Sequence, residues 1–361
     1  MAPSQQETQT KPKTHEEDEE TFANAMQMAL GSVFPMTMKA AVELGLFDIL
    51  AAAGGSDLSA AEIAARLRNC TNPDAPKMVE RIFRLLVSHG VIRCAVSDDG
   101  ERLYGLTAVA KYFVTGEDGV SLGPLMVLLQ DIIYLQNWTH LKDAVLKGGI
   151  PFNTSHGMHV FQYPATDQRF NELFNSGMFH HTSVVLKKVL ETYKGFDQVN
   201  RLVDVGGGVG VTINMIVSKY PHIHGINYDL PQVIQNARTY PGVEHVAGDM
   251  FESVPEADAV FMKWIIHDWD DEHCLTMLNN CHKAIPKTGK VIVMDAVVPE
   301  VPEATLSAQD ISHMDLFMMT QLPGGKERTR QEFESLAADS GFAGVKFVCS
   351  ARNFWIMEFF K

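Results

Sequence analysis

Residues 201–211 read RLVDVGGGVGV and run directly into VTINMIVSKY at 211–220. A short apolar run ends near an acid, Asp204, glycines follow at 206, 207, 208 and 210, and the next apolar residues take helical spacing. That is a strand, a tight turn and a helix. Glycine allows positive φ and lets a ligand approach main-chain N–H groups closely. A dinucleotide fingerprint counted from Gly206 needs glycine or alanine at 211, and valine stands there. What remains is Asp-x-Gly-x-Gly, an acid ahead of the glycines, which suits a cationic amino group better than a pyrophosphate.

Working outward, HIHGINYDL (222–230) reads as a second strand ending in Asp229, placed to accept from ribose hydroxyls. GVEHVAGDMF (242–251) brings Asp249 and Met250, an acid and a soft apolar side chain able to take and cover an adenine ring. ADAVFMKWII (257–266) runs into His267-Asp268-Trp269, and KVIVMDAVV (290–298) is a fifth strand. Each acid alone also fits a helix cap or a solvated loop end. Four strand-end polar groups at βα spacing on one sheet favour a ligand-binding edge.

DVGGGVG, GINYDLP, GDMF, FMKWIIHDWDDEHC and PGGKERT together resemble the plant caffeic-acid-type O-methyltransferases, which use S-adenosylmethionine. The resemblance runs from about residue 21 to the C-terminus. It implies an α/β, Rossmann-like methyltransferase domain behind a mostly helical, winged-helix-like dimerisation domain, acting as a homodimer. It also implies metal-independent methyl transfer to a phenolic oxygen of a plant aromatic metabolite. Carried over by motif, Gly206, Asp229, Leu230, Asp249, Met250 and Lys263 hold the cofactor. His267 is the base, with Asp295 and Glu327 beside it. Leu128, Tyr134, Val160, Phe170, Phe174, Met178, His181, Phe317, Met318 and Leu322 line the acceptor pocket.

Three departures bear on the acceptor. Asp295 stands where the family usually has glutamate, and Pro164 and Leu322 replace a histidine and an asparagine common in caffeic-type relatives. A pocket short of those polar groups satisfies a hydroxycinnamate tail poorly. That favours a larger, less polar phenol, and because related enzymes use such substrates the resemblance implies a benzylisoquinoline or protoberberine alkaloid such as scoulerine as the expected acceptor. The alternative is caffeic acid, another phenylpropanoid or a flavonoid 3-hydroxyl on the same scaffold.

The chemistry needs a base. A phenol titrates near 10 and histidine near 6.5, so neutral imidazole is the usual proton acceptor around pH 7. His267 follows a strand at the carboxyl edge of the sheet, where open α/β folds bind ligands. The competing reading is a loop histidine capping the helix that follows. His267, Asp268, Asp271 and His273 diverge over a strand end and a first helical turn, and no H-x-x-x-H pair is present, so no metal is expected. An acceptor nitrogen or carboxyl oxygen on the same scaffold is a further alternative.

Composition narrows the partners. The chain has 361 residues and a net charge of −14, from 30 Lys and Arg against 44 Asp and Glu. That balance disfavours a nucleic acid, whose binding rests on neutralising phosphates. Five cysteines without C-x-x-C pairing read as reduced thiols in a cytoplasmic protein. No apolar run is long enough for a bilayer, and the acidic N-terminal stretch lacks a signal-peptide core. Residues 1–20 are expected to be a disordered acidic tail, 21–119 the dimerisation domain and 120–361 the catalytic domain. Within 21–119, amphipathic helices and a hairpin around Asp99-Gly100 form a module that elsewhere reads as DNA-binding. The acidic chain turns that reading toward dimerisation.

Overall fold

The computed structural model describes residues 15–361, which divide into two compact units, one ending at Val114 and the other Thr115–Lys361. In the first, helices His15–Ala29, Val33–Glu43, Leu46–Ala51, Ala60–Ala65 and Ala75–Ser88 accompany a three-stranded antiparallel sheet. The hairpin Ile92–Val96/Arg102–Leu106 pairs Ile92 with Leu106 and Val96 with Arg102, with Gly100 at φ +81° in its turn. Leu58–Ser59 adds a third short strand, and Ser59 then caps the following helix in a reciprocal pair with Glu62. Met38, Phe47, Leu50, Phe83, Leu86 and Tyr104 fill the core.

The disordered tail placed at 1–20 gives way to helix from His15; residues 1–14 lie outside those described. The acids that suggested disorder, Glu16, Glu17 and Asp18, occupy the first turn of that helix, where its dipole favours negative charge. The helix buries none of its own residues, and Phe22, Met26 and Met28 stand exposed along it.

The second unit is built on a seven-stranded sheet. Its strands are β1 (Arg201–Val205), β2 (His224–Asp229), β3 (Val243–Ala247), β4 (Ala259–Lys263), β5 (Lys290–Asp295), β6 (Gly344–Ala351) and β7 (Phe354–Phe360). The order across the sheet is β6-β7-β5-β4-β1-β2-β3. The five strands β1–β5 pair in parallel, and the final hairpin lies antiparallel on β5. Arg352 and Asn353 both take positive φ between β6 and β7, the geometry of a two-residue hairpin turn.

Period-two alternation sends each strand's side chains into two cores. Val203, Val260, Met262, Val291 and Val293 pack on one face with Met277, Leu278, Phe333 and Phe359. Leu202, Phe261, Ile292 and Met294 pack on the other with Leu186, Val189, Ile213 and Phe196. Each large side chain so buried contributes about 1.5–3 kcal/mol. The strands are apolar on both faces, so their polar residues gather at the strand ends, where the site forms. A short parallel pairing of Val297–Val298 with Arg328–Thr329 brings the PGGKERT segment to that same edge. A third apolar cluster, from helices and turns between residues 125 and 178 and between 314 and 322, forms a separate layer. Among the described residues no helix is long and apolar enough to cross a membrane.

Candidate active site

The turn after β1 is built by positive φ at Gly206 (+66°), Gly208 (+60°) and Gly210 (+86°). A Cβ on Gly207 would collide with the Asn227 amide oxygen and the Asp204 carboxylate, so the backbone passes close to both. Asp204 is buried and its Oδ2 has no hydrogen-bond partner. Burial pushes its carboxyl up to about 8, against the attraction of Lys263 and with the repulsion of Asp229. Asp229 is raised as well, by burial, although Gly208 N donates to its Oδ2 at 2.8 Å and Leu230 N to its Oδ1 at 2.7 Å. Asp249 Oδ1 accepts from Phe251 N at 2.8 Å, and Met250 packs partly buried against the sheet core. The edge therefore carries carboxyl groups in want of a cation. The Asp204 oxygen and the glycine turn fit a ligand with an amino group.

Lys263 ends β4. Burial lowers its ammonium to about 8 despite Asp295, Asp204 and Asp268 nearby, and its Nζ lies 4.2 Å from the centre of the Trp264 ring. Trp264 holds an unusual backbone, φ +56°, and its indole N–H is buried without a partner. Its ring stacks on His181 at 4.1 Å and 11°, and lies 5.6 Å from His267 at 24°. Burial, with Lys263 beside it, holds the His181 imidazole well below 6.5, so this ring is neutral.

His267 sits on the one-turn 3₁₀ segment Ile266–Asp268, 4 % exposed. Its Nδ1 is 2.8 Å from Glu327 Oε1 and its Nε2 is 3.5 Å from Asp268 Oδ1. A carboxylate only accepts, so Nδ1 carries the hydrogen and Nε2 is the nitrogen left for chemistry. Burial alone would depress this imidazole. The charges of Glu327 and Asp268, the Glu327 hydrogen bond and the charge of Asp295 outweigh burial and raise it to about 9.

The two acids expected beside His267 take different places. Glu327 bonds the ring, whereas Asp295 Oδ1 accepts the Trp264 backbone N–H at 3.0 Å and its Oδ2 stays buried without a partner. Burial raises Asp295 to about 7 against the pull of His267. Sequence reasoning gave no role to Asp268, Trp264 or Arg328. Arg328 was within reach, adjoining Glu327 in PGGKERT. A tryptophan at positive φ leaves no mark in sequence.

The pocket residues expected from the sequence meet largely in one cluster. Leu128, Tyr134, Val160, Phe170, Met318 and Leu322 are buried together, with Phe174, Met178 and Phe317 packed on them. Tyr134 meets Phe170 and Phe317 edge-on at 5.3 and 4.9 Å. Burial, then Asp268 and Asp131, raise the Tyr134 hydroxyl, which ties this layer electrostatically to the His267 turn. His181 lies further along the Met178 helix, on Trp264. Leu230 is exposed, and Pro164 is half-buried in the short turn Tyr163–Ala165. Among the described residues no group of three or more His, Cys, Asp or Glu is placed to hold a metal.

Residues 138–343 match the O-methyltransferase domain family and 26–116 the O-methyltransferase dimerisation domain. The chain is 55% identical to a caffeic acid 3-O-methyltransferase of Medicago sativa, over 98% of each chain. It is 54% identical to an anthranilate N-methyltransferase of Ruta graveolens, over 97% of this chain and 96% of the other. Among solved structures it is similar to CalO1, a methyltransferase of calicheamicin biosynthesis in its SAH-bound form. The TM-score there is 0.78 at 25% identity, over 95% of this chain and 98% of that one.

Proposed function

The chain belongs to the plant caffeic-acid-type, S-adenosylmethionine-dependent O-methyltransferases, and from that premise we propose that it methylates a phenolic hydroxyl of a flat aromatic metabolite with His267 as general base. One observation carries the reading: a buried imidazole whose Nδ1 is held 2.8 Å from Glu327, leaving Nε2 for the acceptor's proton. Bound S-adenosylmethionine supplies a methyl group on a sulfonium leaving group. The protein's share is to hold it, exclude water and take the proton.

For holding, the buried Asp204 oxygen and the glycine turn at Gly206 suit the cofactor's cationic amino group. Asp229 and the neighbouring Leu230 suit the ribose, Asp249 and Met250 the adenine, and Lys263 closes the strand end. For the proton, magnitudes favour His267. An ordinary imidazole lies about 3–4 pH units below a phenol, a transfer costing roughly 5 kcal/mol. At about 9 the gap shrinks to about one unit, or roughly 1.4 kcal/mol, a gain expressed in full only where the pH is high enough for the ring to have lost its own Nε2 proton. Asp295 acts at one remove, through the Trp264 backbone. Dimerisation falls to the N-terminal unit, whose first helix exposes Phe22, Met26 and Met28.

For the acceptor we take a large, weakly polar phenol, with a protoberberine or benzylisoquinoline alkaloid of the scoulerine type as first choice. Its support is that Leu322, buried in the apolar cluster, and Pro164, half-buried in a nearby turn, stand at the positions where caffeic-type relatives often carry polar side chains. The caffeic acid, phenylpropanoid or flavonoid reading has the overall likeness to the Medicago enzyme behind it. An amine acceptor has the likeness to the Ruta enzyme. Turnover of labelled S-adenosylmethionine against phenols, alkaloids and anthranilate, with and without EDTA, tests all three beside His267→Ala. EDTA-insensitive transfer to a phenol, lost in His267→Ala, is the expected result. Transfer that survives the substitution refutes the base, and transfer that EDTA stops refutes the metal-free reading.

A further inference from the structure

Three consecutive residues hold the turn that carries His267. Lys326 N donates to His267 O at 3.0 Å, and Glu327 Oε1 receives His267 Nδ1. Arg328, 1 % exposed and among the largest fully buried side chains, reaches the carbonyls on either side of His267. Its Nη1 donates to Ile266 O at 2.6 Å and its Nη2 to Trp269 O at 2.8 Å. The rest of the fork closes on Asp271, with Nε at 3.1 Å and Nη2 at 2.6 Å from Oδ1.

The turn has little of its own to hold it. Its closing backbone bonds, Asp268 N to Ile265 O and Trp269 N to Ile266 O, are long at 3.2 and 3.4 Å. Taking a guanidinium out of water is costly, so a buried arginine needs its N–H groups matched, and here they are divided between two carbonyls of this turn and Asp271, the first residue of the helix that follows it. Glu327 directly precedes the strand Arg328–Thr329, which pairs with Val297–Val298, so the ring's acid and the turn's guanidinium are consecutive residues of one anchored segment.

We propose that Arg328 is a positioning residue for methyl transfer, fixing the Ile266–Trp269 turn so that His267 meets Glu327 through Nδ1 and keeps Nε2 toward the acceptor. This rests on His267 being the base. Lysine keeps the charge but cannot span two carbonyls and a carboxylate in one plane.

The test compares wild type, Arg328→Lys, Asp271→Asn and His267→Gln as full-length proteins. Histidines are labelled with carbon-13, and the His267 imidazole signal, assigned by its loss in His267→Gln, is titrated by NMR without an acceptor. Initial rates with labelled S-adenosylmethionine and, as acceptor probes, scoulerine and caffeic acid, and melting temperatures, accompany it. Arg328→Lys should lower the His267 titration midpoint and cut kcat roughly 10- to 100-fold, leaving the KM for S-adenosylmethionine within about twofold. Asp271→Asn should move both in the same direction by less. A lower melting temperature with an unmoved His267 titration and full kcat overturns the proposal and leaves Arg328 a purely structural residue. If Arg328→Lys does not fold, wild-type titration and rate in Asp271→Asn overturn it equally. Full turnover in His267→Gln refutes the base instead, while the NMR titration still decides whether Arg328 positions the ring.

Discussion

Replacing Glu327 by glutamine keeps the shape and an oxygen for His267 Nδ1 but removes the charge. That carboxylate is the strongest of the groups raising the imidazole to about 9 against burial, so its loss lets the value fall toward or below 6.5. A fall from 9 to 6.5 weakens the base by about 3 kcal/mol. If roughly half of that is expressed in the barrier, the plateau rate drops on the order of tenfold. The sign for pH runs the other way. An imidazolium robbed of its counter-charge gives up its proton more readily, so the acid limb of kcat/KM moves to lower pH. Glu327→Gln should therefore be most defective at high pH and come closest to wild type near or below neutrality. The assay is labelled methyl transfer across pH, run with two phenols of different acidity so that the acceptor's own titration is recognised. A wild-type limb near pH 9 with an unchanged plateau in Glu327→Gln would falsify the account of how this base is tuned.

The cofactor edge and the pocket wall give three further outcomes. Asp204→Asn should raise the KM for S-adenosylmethionine roughly 10- to 100-fold, because a buried charge-assisted contact is worth about 1.5–3 kcal/mol. Wild type, whose Asp204 sits at about 8, should release a proton on binding this cation, read by calorimetry in buffers of different ionisation enthalpy. Equal proton release in Asp204→Asn would assign it elsewhere. Leu322→Asn should improve kcat/KM for caffeic acid relative to the alkaloid phenol, at a stability cost of about 1–3 kcal/mol from a polar group in a buried wall. An unaltered preference ratio would remove Leu322 from acceptor selection.

Much of the sheet, and the placing of acids and a histidine at its strand ends, was legible in the chain because those features are local. A strand feeding glycines, acids at strand ends and a histidine after β4 are all carried by short stretches. The Asp99-Gly100 hairpin and the final antiparallel pair were legible for the same reason. What stayed hidden depends on distant segments meeting. Trp264 takes its left-handed backbone where Asp295 can accept its N–H, and Arg328 reads as an ordinary surface cation until the fold buries it against Ile266 and Trp269. The helix start at His15 was missed because a run of acids looks the same whether it is solvated coil or the first turn of a helix.

The division between the apolar layer around Phe170 and Leu322 and the strand-end turn around His267 has a consequence for how such an enzyme diversifies. On the proposed assignment, the wall residues at 128, 160 and 318 and the base at 267 stand on different segments, with Leu322 only a short way ahead of Lys326–Arg328. On that assignment, substitutions at 128, 160 and 318 change the bulk or polarity of that layer without altering the residues of segments 264–269 and 326–328. A lineage built this way explores new acceptors by substitution at a few wall positions, and a designer can do the same with a small library confined to that layer.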